Sequence, residues 1–185
     1  MNKDTIKINK GLIQKLKNIR ILLMDVDGVL TDGSIILGAG DQEFKKFDVQ
    51  DGMGITLARM GGLKVGILTG RQSEAVEKRA KELRVDMLYQ GNSNKLVSYL
   101  DIVKKDNIPE NTICFIGDDL LDLSVLRRVG MGVAVANARE EVKKEADYIT
   151  EKSGGKGAVR EVVELILKAQ EKWQSVIENV YENAV

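Results

Sequence analysis

The chain has 185 residues, 28 of them Lys or Arg and 28 Asp or Glu, so nothing in its net charge recruits nucleic acid or an anionic membrane. Hydrophobic residues at 43%, charged residues at 30% and a single proline exclude disordered and fibrous classes, and the length is that of one domain, residues 1–185, with a real core. Histidine is absent, which removes the commonest general base, the Ser-His and Cys-His nucleophiles and most zinc sites.

In chain order, the polar start "MNKDTIKINK" lacks the apolar core of a signal peptide, and no later stretch approaches the roughly 20 apolar residues that span a bilayer. A cytoplasmic protein without a membrane partner is expected. "IRILLMD" reads as a buried strand that empties into Asp25, Asp27 and Asp32. Residues 33–48 break the rhythm that follows: Ser34 to Leu37 and Glu43 to Asp48 flank the turn formers Gly38, Ala39, Gly40 and Asp41, which predicts an inserted β-hairpin.

Beyond it, short apolar runs and amphipathic stretches alternate. "LKVGILTG", "VDMLYQG", "TICFIGDD" and "GMGVAVAN" read as strands; "GMGITLARMG", "SEAVEKRAKEL", "NKLVSYLDIVKK" and "DLSVLRRVG" read as helices, with Ser73 as an N-cap. The lone Cys114 sits in an apolar run as a small buried side chain. A long helix from about 158 to 182 carries Val162, Ile166, Ala169, Trp173, Val176, Ile177 and Val180 near one face, to pack on its own domain or on another subunit. Strand and helix in strict alternation imply right-handed crossovers and a doubly wound α/β parallel sheet covered on both faces.

In such sheets ligands bind outside the carboxyl ends of the strands. The first strand is followed by Asp25, Asp27 and Asp32, the second by Thr69, Gly70 and Arg71, the third by Gly91, Asn92 and Lys95, the fourth by Gly117, Asp118, Asp119 and Asp122. Carboxylates packed together repel unless a cation holds them, and oxygen ligands without histidine or thiolate point to Mg2+. Thr69 with the loop amides, and Lys95 as a point charge, suit phosphate oxygens. Taken singly, Asp27, Asp32 and Asp122 are equally turn or cap residues, Thr69 and Gly70 a strand end, Lys95 a solvated helix residue, and Arg71 and Arg79 surface charges. Their coincidence at four strand ends favours a site.

"DVDGVLTDG", "ILTGR", "QGNSNK" and "GDDLLD", in that order, resemble the four signature motifs of the haloacid dehalogenase-like phosphatases. Around them "YQGNSNKL", "IGDDLLDL" and "GGKGAVREV" resemble the branch that acts on sugar-acid phosphates. The resemblance implies Asp25 as a nucleophile that takes the phosphoryl group, Asp27 as acid/base, and Thr69 and Lys95 as partners of the phosphoryl oxygens. It implies Mg2+ on the Asp25 carboxylate, the Asp27 backbone carbonyl and Asp118, with Asp119 or Asp122 in support. Sugar-acid contacts would fall on Asp48, Asp51, Gly52, Arg71 and Arg79 with Lys95. Asp32 is left as a structural residue at the base of the hairpin. The implied substrate is 3-deoxy-D-manno-octulosonate 8-phosphate, used in lipopolysaccharide biosynthesis; Gln50, where an arginine is common, keeps a nine-carbon keto-acid 9-phosphate as alternative.

Thr69 lies 42 residues after Asp27 and Lys95 a further 26 on, too short in either place for a cap domain. An uncapped site needs another closure, and the resemblance implies a homotetramer whose hairpins and C-terminal segments line neighbouring sites. A response-regulator receiver also gathers acids, Thr and Lys around Mg2+, but its phosphorylated aspartate follows the third strand. A non-catalytic oligomerisation module predicts eroded motifs, and these are intact.

Overall fold

The apolar run Ile21–Met24 is buried at every position, as a strand covered on both faces must be. The computed structural model describes residues 10–40, 42–105 and 107–182. Its elements are α1 (Lys10–Asn18), β1 (Ile21–Met24), β2 (Ile36–Leu37), β3 (Glu43–Phe44), α2 (Val49–Met60), β4 (Lys64–Leu68), α3 (Glu74–Glu82), β5 (Met87–Tyr89) and α4 (Lys95–Lys105), then β6 (Ile113–Gly117), α5 (Leu123–Leu126), β7 (Met131–Ala134), α6 (Glu140–Glu145), β8 (Tyr148–Ile149), α7 (Ala158–Ala169) and α8 (Trp173–Glu182).

Among the described residues six parallel strands form one sheet in the order β5-β4-β1-β6-β7-β8, and β2 and β3 pair antiparallel as a separate ribbon. Register explains how the sheet makes an edge. Met24 of β1 lies opposite Ile67 of β4 and Ile116 of β6, so Asp25, Thr69 and Asp118 leave three adjacent strands within about one residue of the same level. Helices cover both faces. α2 crosses α7 closely: a Cβ on Gly54 would lie 2.8 Å from the Arg160 Cα, so only glycine allows the approach.

Several features depart from expectation. The sheet has a sixth strand, β8, and the short helices α1 and α6 carry only Leu12 and Leu16, and Val142, into the interior. The hairpin's paired part is shorter than predicted, two residues on each side, and Asp41 of its turn lies outside the described residues. The helix expected over "DLSVLRRVG" is reduced to Leu123–Leu126, preceded by a 3-10 turn at Leu120–Asp122.

The long C-terminal helix is two helices. No Pro or Gly breaks it; the Gln170 backbone still bonds Ile166 O, Glu171 adopts φ 59°, and the Gln170 side-chain Nε2 donates to the carbonyls of Leu16 (3.1 Å) and Ile19 (2.7 Å) in and just after α1. Val176 is buried, and Trp173 and Val180 pack against the core of the same chain.

Candidate active site

Asp25 follows β1 directly, is 6% exposed, and is fixed by its backbone N–H donating to Ile116 O at 3.0 Å. The next turn is shaped by Thr31, 1% exposed, whose hydroxyl donates to Val26 O and accepts from Gly33 N at 3.2 Å. Gly28 must be glycine: at φ 92° its backbone passes so close to Asp118 that a Cβ would lie 2.0 Å from Oδ2. Asp32 caps Ser34 N at 3.0 Å and stands 3.7 Å from Lys46, a loop residue as expected.

Lys95, the first residue of α4, is not solvated: 4% exposed, its ammonium lies 2.9 Å from Asp25 and 2.5 Å from Asp122. Asp122 is fully buried and takes the amides of Asp118 (2.8 Å) and Asp119 (3.2 Å) on its other oxygen. Asp119 is exposed and caps the 3-10 turn through Leu120 N. Thr69, 3% exposed, is placed by its N–H donating to Tyr89 O. Asp25, Asp118 and Asp122 each offer an oxygen within 4.8 Å of the others, with Lys95 on one side of the group.

These carboxylates are held together at a cost. Burial first, then the charge of Asp122, push Asp25 up to about 6 although Lys95 pulls it down. Burial, then Asp25 and Asp122, push Asp118 up to about 7. Burial works against the Lys95 charge too, but Asp25 and Asp122 outweigh it and raise its pKa. One cation for three acids is too few, and Asp118 Oδ1 is buried without a hydrogen-bond partner. Hard, crowded oxygens with an orphan acceptor fit a small divalent cation held by Asp25 and Asp118. Asp122 has both oxygens engaged, by Lys95 and by the Asp118 and Asp119 amides.

A second group surrounds Asp27. Arg71 lies 3.8 Å from Asp27 Oδ2 and 2.6 Å from Glu43 Oε2, and Lys45 pairs with Asp27 Oδ1. Neither Lys45 nor Glu43 stands out in the sequence as a site residue; both come from the hairpin. They also line a cleft of about 1090 Å³ between the hairpin and α3, with Gln42, Gln72 and Ser73 among its walls. Ser73 occupies the N-cap of α3 but makes no side-chain cap bond.

The expected sugar contacts are only partly brought together. Arg79 donates to Asp48 O at 3.4 Å and Glu82 at 2.9 Å, stacks 5.8 Å over Phe47, and packs where a Cβ on Gly52 would lie 2.3 Å from its Nη2. The Asp48 and Asp51 side chains serve helix ends. The Asp48 carboxylate is the N-cap of α2, accepting from Gln50 N (2.7 Å) and Asp51 N (3.2 Å). Asp51 is 1% exposed and accepts from Gly157 N (3.1 Å) and Arg160 N (3.0 Å), so it serves the N-terminus of α7. Burial holds its carboxyl above the usual range against those amides. Asp51→Ala should lower the unfolding free energy in a urea titration by about 2–3 kcal/mol, one buried and one part-buried donor losing their acceptor. A loss below about 0.5 kcal/mol contradicts that role.

The sequence pattern of the haloacid dehalogenase-like hydrolases matches residues 87–162. The 3-deoxy-D-manno-octulosonate 8-phosphate phosphatase KdsC of Escherichia coli K12 is 46% identical over 165 residues, 89% of this chain and 88% of that protein. The crystal structure of the Yersinia pestis phosphatase of the same name superimposes with a TM-score of 0.87 at 44% identity, covering 89% of each chain. That of the Moraxella catarrhalis phosphatase, in complex with magnesium ion, phosphate ion and KDO, gives 0.88 at 45% identity over 91% of this chain and 97% of that one. With nearly its whole length aligned to phosphatases of one kind, the chain belongs to the haloacid dehalogenase-like hydrolases, in the family of the 3-deoxy-D-manno-octulosonate 8-phosphate phosphatases.

Proposed function

We propose that the chain is a Mg2+-dependent phosphatase that hydrolyses 3-deoxy-D-manno-octulosonate 8-phosphate through an aspartyl-phosphate on Asp25. The observation that carries this reading is the buried Asp25 carboxylate at the end of the central strand, 2.9 Å from Lys95 and grouped with Asp118. An Asp25 oxygen attacks phosphorus while the bond to the sugar oxygen breaks, and Asp27 gives that oxygen a proton. Water then attacks the acyl-phosphate, Asp27 takes its proton, and phosphate leaves. Lys95 and the Thr69 hydroxyl meet the phosphoryl oxygens, where preorganised charge contributes most. Mg2+ held by the Asp25 and Asp118 carboxylates and the Asp27 carbonyl would supply positive charge for the transferring group.

The reading puts the sugar acid in the cleft beside the hairpin, whose wall residue Glu43 holds Arg71, with Asp48, Asp51, Gly52 and Arg79 as further proposed contacts. Gln50, exposed on the first turn of α2, supports a second reading, a nine-carbon keto-acid 9-phosphate. Phosphate release from both substrates, with Mg2+ and with chelator, tests the assignment; a rate untouched by chelation contradicts it. The same reading makes the protein a cytoplasmic enzyme of lipopolysaccharide biosynthesis and a homotetramer. In support, no helix among the described residues is long and apolar enough to cross a membrane, and Ile35, Ile36, Leu37, Phe44 and Val49 stand exposed on the hairpin and the adjoining turn of α2. Sedimentation as a fully active monomer contradicts the tetramer.

A pH dependence follows from the raised carboxyls. Asp25 at about 6 and Asp118 at about 7 lie above the 3.8 of a free aspartate, so without metal the fold keeps protons that the unfolded chain has released. Metal-free stability should therefore fall as pH rises from about 4 through about 7. Mg2+ should raise Tm much more at pH 8 than at pH 5, and equal gains at both would contradict it.

A further inference from the structure

The hairpin reverses the usual pattern of a surface ribbon. Phe44 and Leu37 are exposed, 53% and 76%, whereas the Lys45 side chain is 2% exposed. Burying an ammonium is costly unless it is paired, so its partners show what the fold gains from it. Those partners are Asp27 Oδ1 and, at 3.5 Å, Glu43 Oε1. Arg71 closes the ring by holding Glu43 Oε2 at 2.6 Å and facing Asp27 Oδ2 at 3.8 Å. Each oxygen of Asp27 is thus met by a cation, one from the hairpin and one from the loop after β4.

We propose that Lys45 is the positioning residue for Asp27, with Glu43 and Arg71 as its support, so that the hairpin that walls the cleft also aims the acid/base. The inference rests on the reading of Asp27 as acid/base. Asp27 lies in a loop with its side chain 21% exposed, and proton transfer requires its carboxyl within hydrogen-bond reach of the departing oxygen. A carboxylate gripped on one oxygen by a buried ammonium cannot swing into solvent.

The test compares kcat/KM, which reports the first transfer only, for p-nitrophenyl and phenyl phosphate. The two are matched in shape and lack a carboxylate, but only phenolate needs a proton to leave well. Lys45→Met is expected to lose about 10- to 100-fold on phenyl phosphate and less than about threefold on p-nitrophenyl phosphate. Lys45→Arg should recover part of the loss, and Lys46→Met, at the exposed neighbour, should change neither rate. Equal losses on both substrates would mean a structural role and overturn the inference, as would a loss confined to KM. Asp27→Asn separates the two claims. If it spares phenyl phosphate, the acid/base reading falls and this inference with it; if it abolishes that turnover while Lys45→Met acts on both substrates alike, only this inference falls.

Discussion

Asp25→Asn should lower turnover by about four orders of magnitude or more while leaving the protein folded. The amide fills almost the same space but forms no acyl-phosphate. The change also removes one of three crowded acids, and Lys95 keeps Asp122 at 2.5 Å, so Tm should hold or rise in the absence of metal. Circular dichroism and phosphate release on the same preparation check both halves. Turnover within about a hundredfold of the parent would remove Asp25 from the mechanism.

Lys95→Met should be damaging twice over. Its ammonium is the cation shared by Asp25 and Asp122, which are 6% and 0% exposed. Removing it leaves two buried carboxylates facing each other, which costs about 3–5 kcal/mol when a buried pair loses one member. The loss should be larger at pH 8 than at pH 5, where Asp25, held near 6, can take up a proton instead. Catalysis should fall by about 10²- to 10³-fold, since a preorganised charge on the phosphoryl oxygens is gone. An unchanged urea midpoint together with unchanged kcat/KM would show that Lys95 is neither a structural nor a catalytic partner.

The site was legible where chemistry follows directly from strand ends. Asp25, Thr69 and Asp118 could be placed because buried parallel strands read as apolar runs and a shared register brings their carboxyl ends level. Lys95 was visible only by coincidence with its neighbours, since a lysine at a helix start looks solvated and its burial depends on Asp122, 27 residues further on.

Lys45 and Glu43 were illegible for a definite reason. Period-two patterning assigns apolar residues to the inside, and in this ribbon Phe44 points out while the charges point in. The helix-end roles of Asp48 and Asp51 were not legible, because a carboxylate beside a glycine suits a ligand and a helix terminus alike, and the Asp51 bonds come from α7, more than a hundred residues away. The break in the C-terminal helix is likewise invisible locally: Glu171 turns left-handed where the Gln170 side chain anchors the chain to the carbonyls of Leu16 and Ile19. β8, two residues long, and α6, with one buried residue, are too short for periodicity to register.

The central claim is the covalent step. Mixing the Mg2+-loaded enzyme with radiolabelled 3-deoxy-D-manno-octulosonate 8-phosphate, quenching in acid within a turnover and mapping the labelled peptide tests it most directly. Label that is acid-stable, lost in base and confined to the peptide carrying Asp25 is the predicted result; label on any other residue, or burst turnover with no labelled protein, would contradict it.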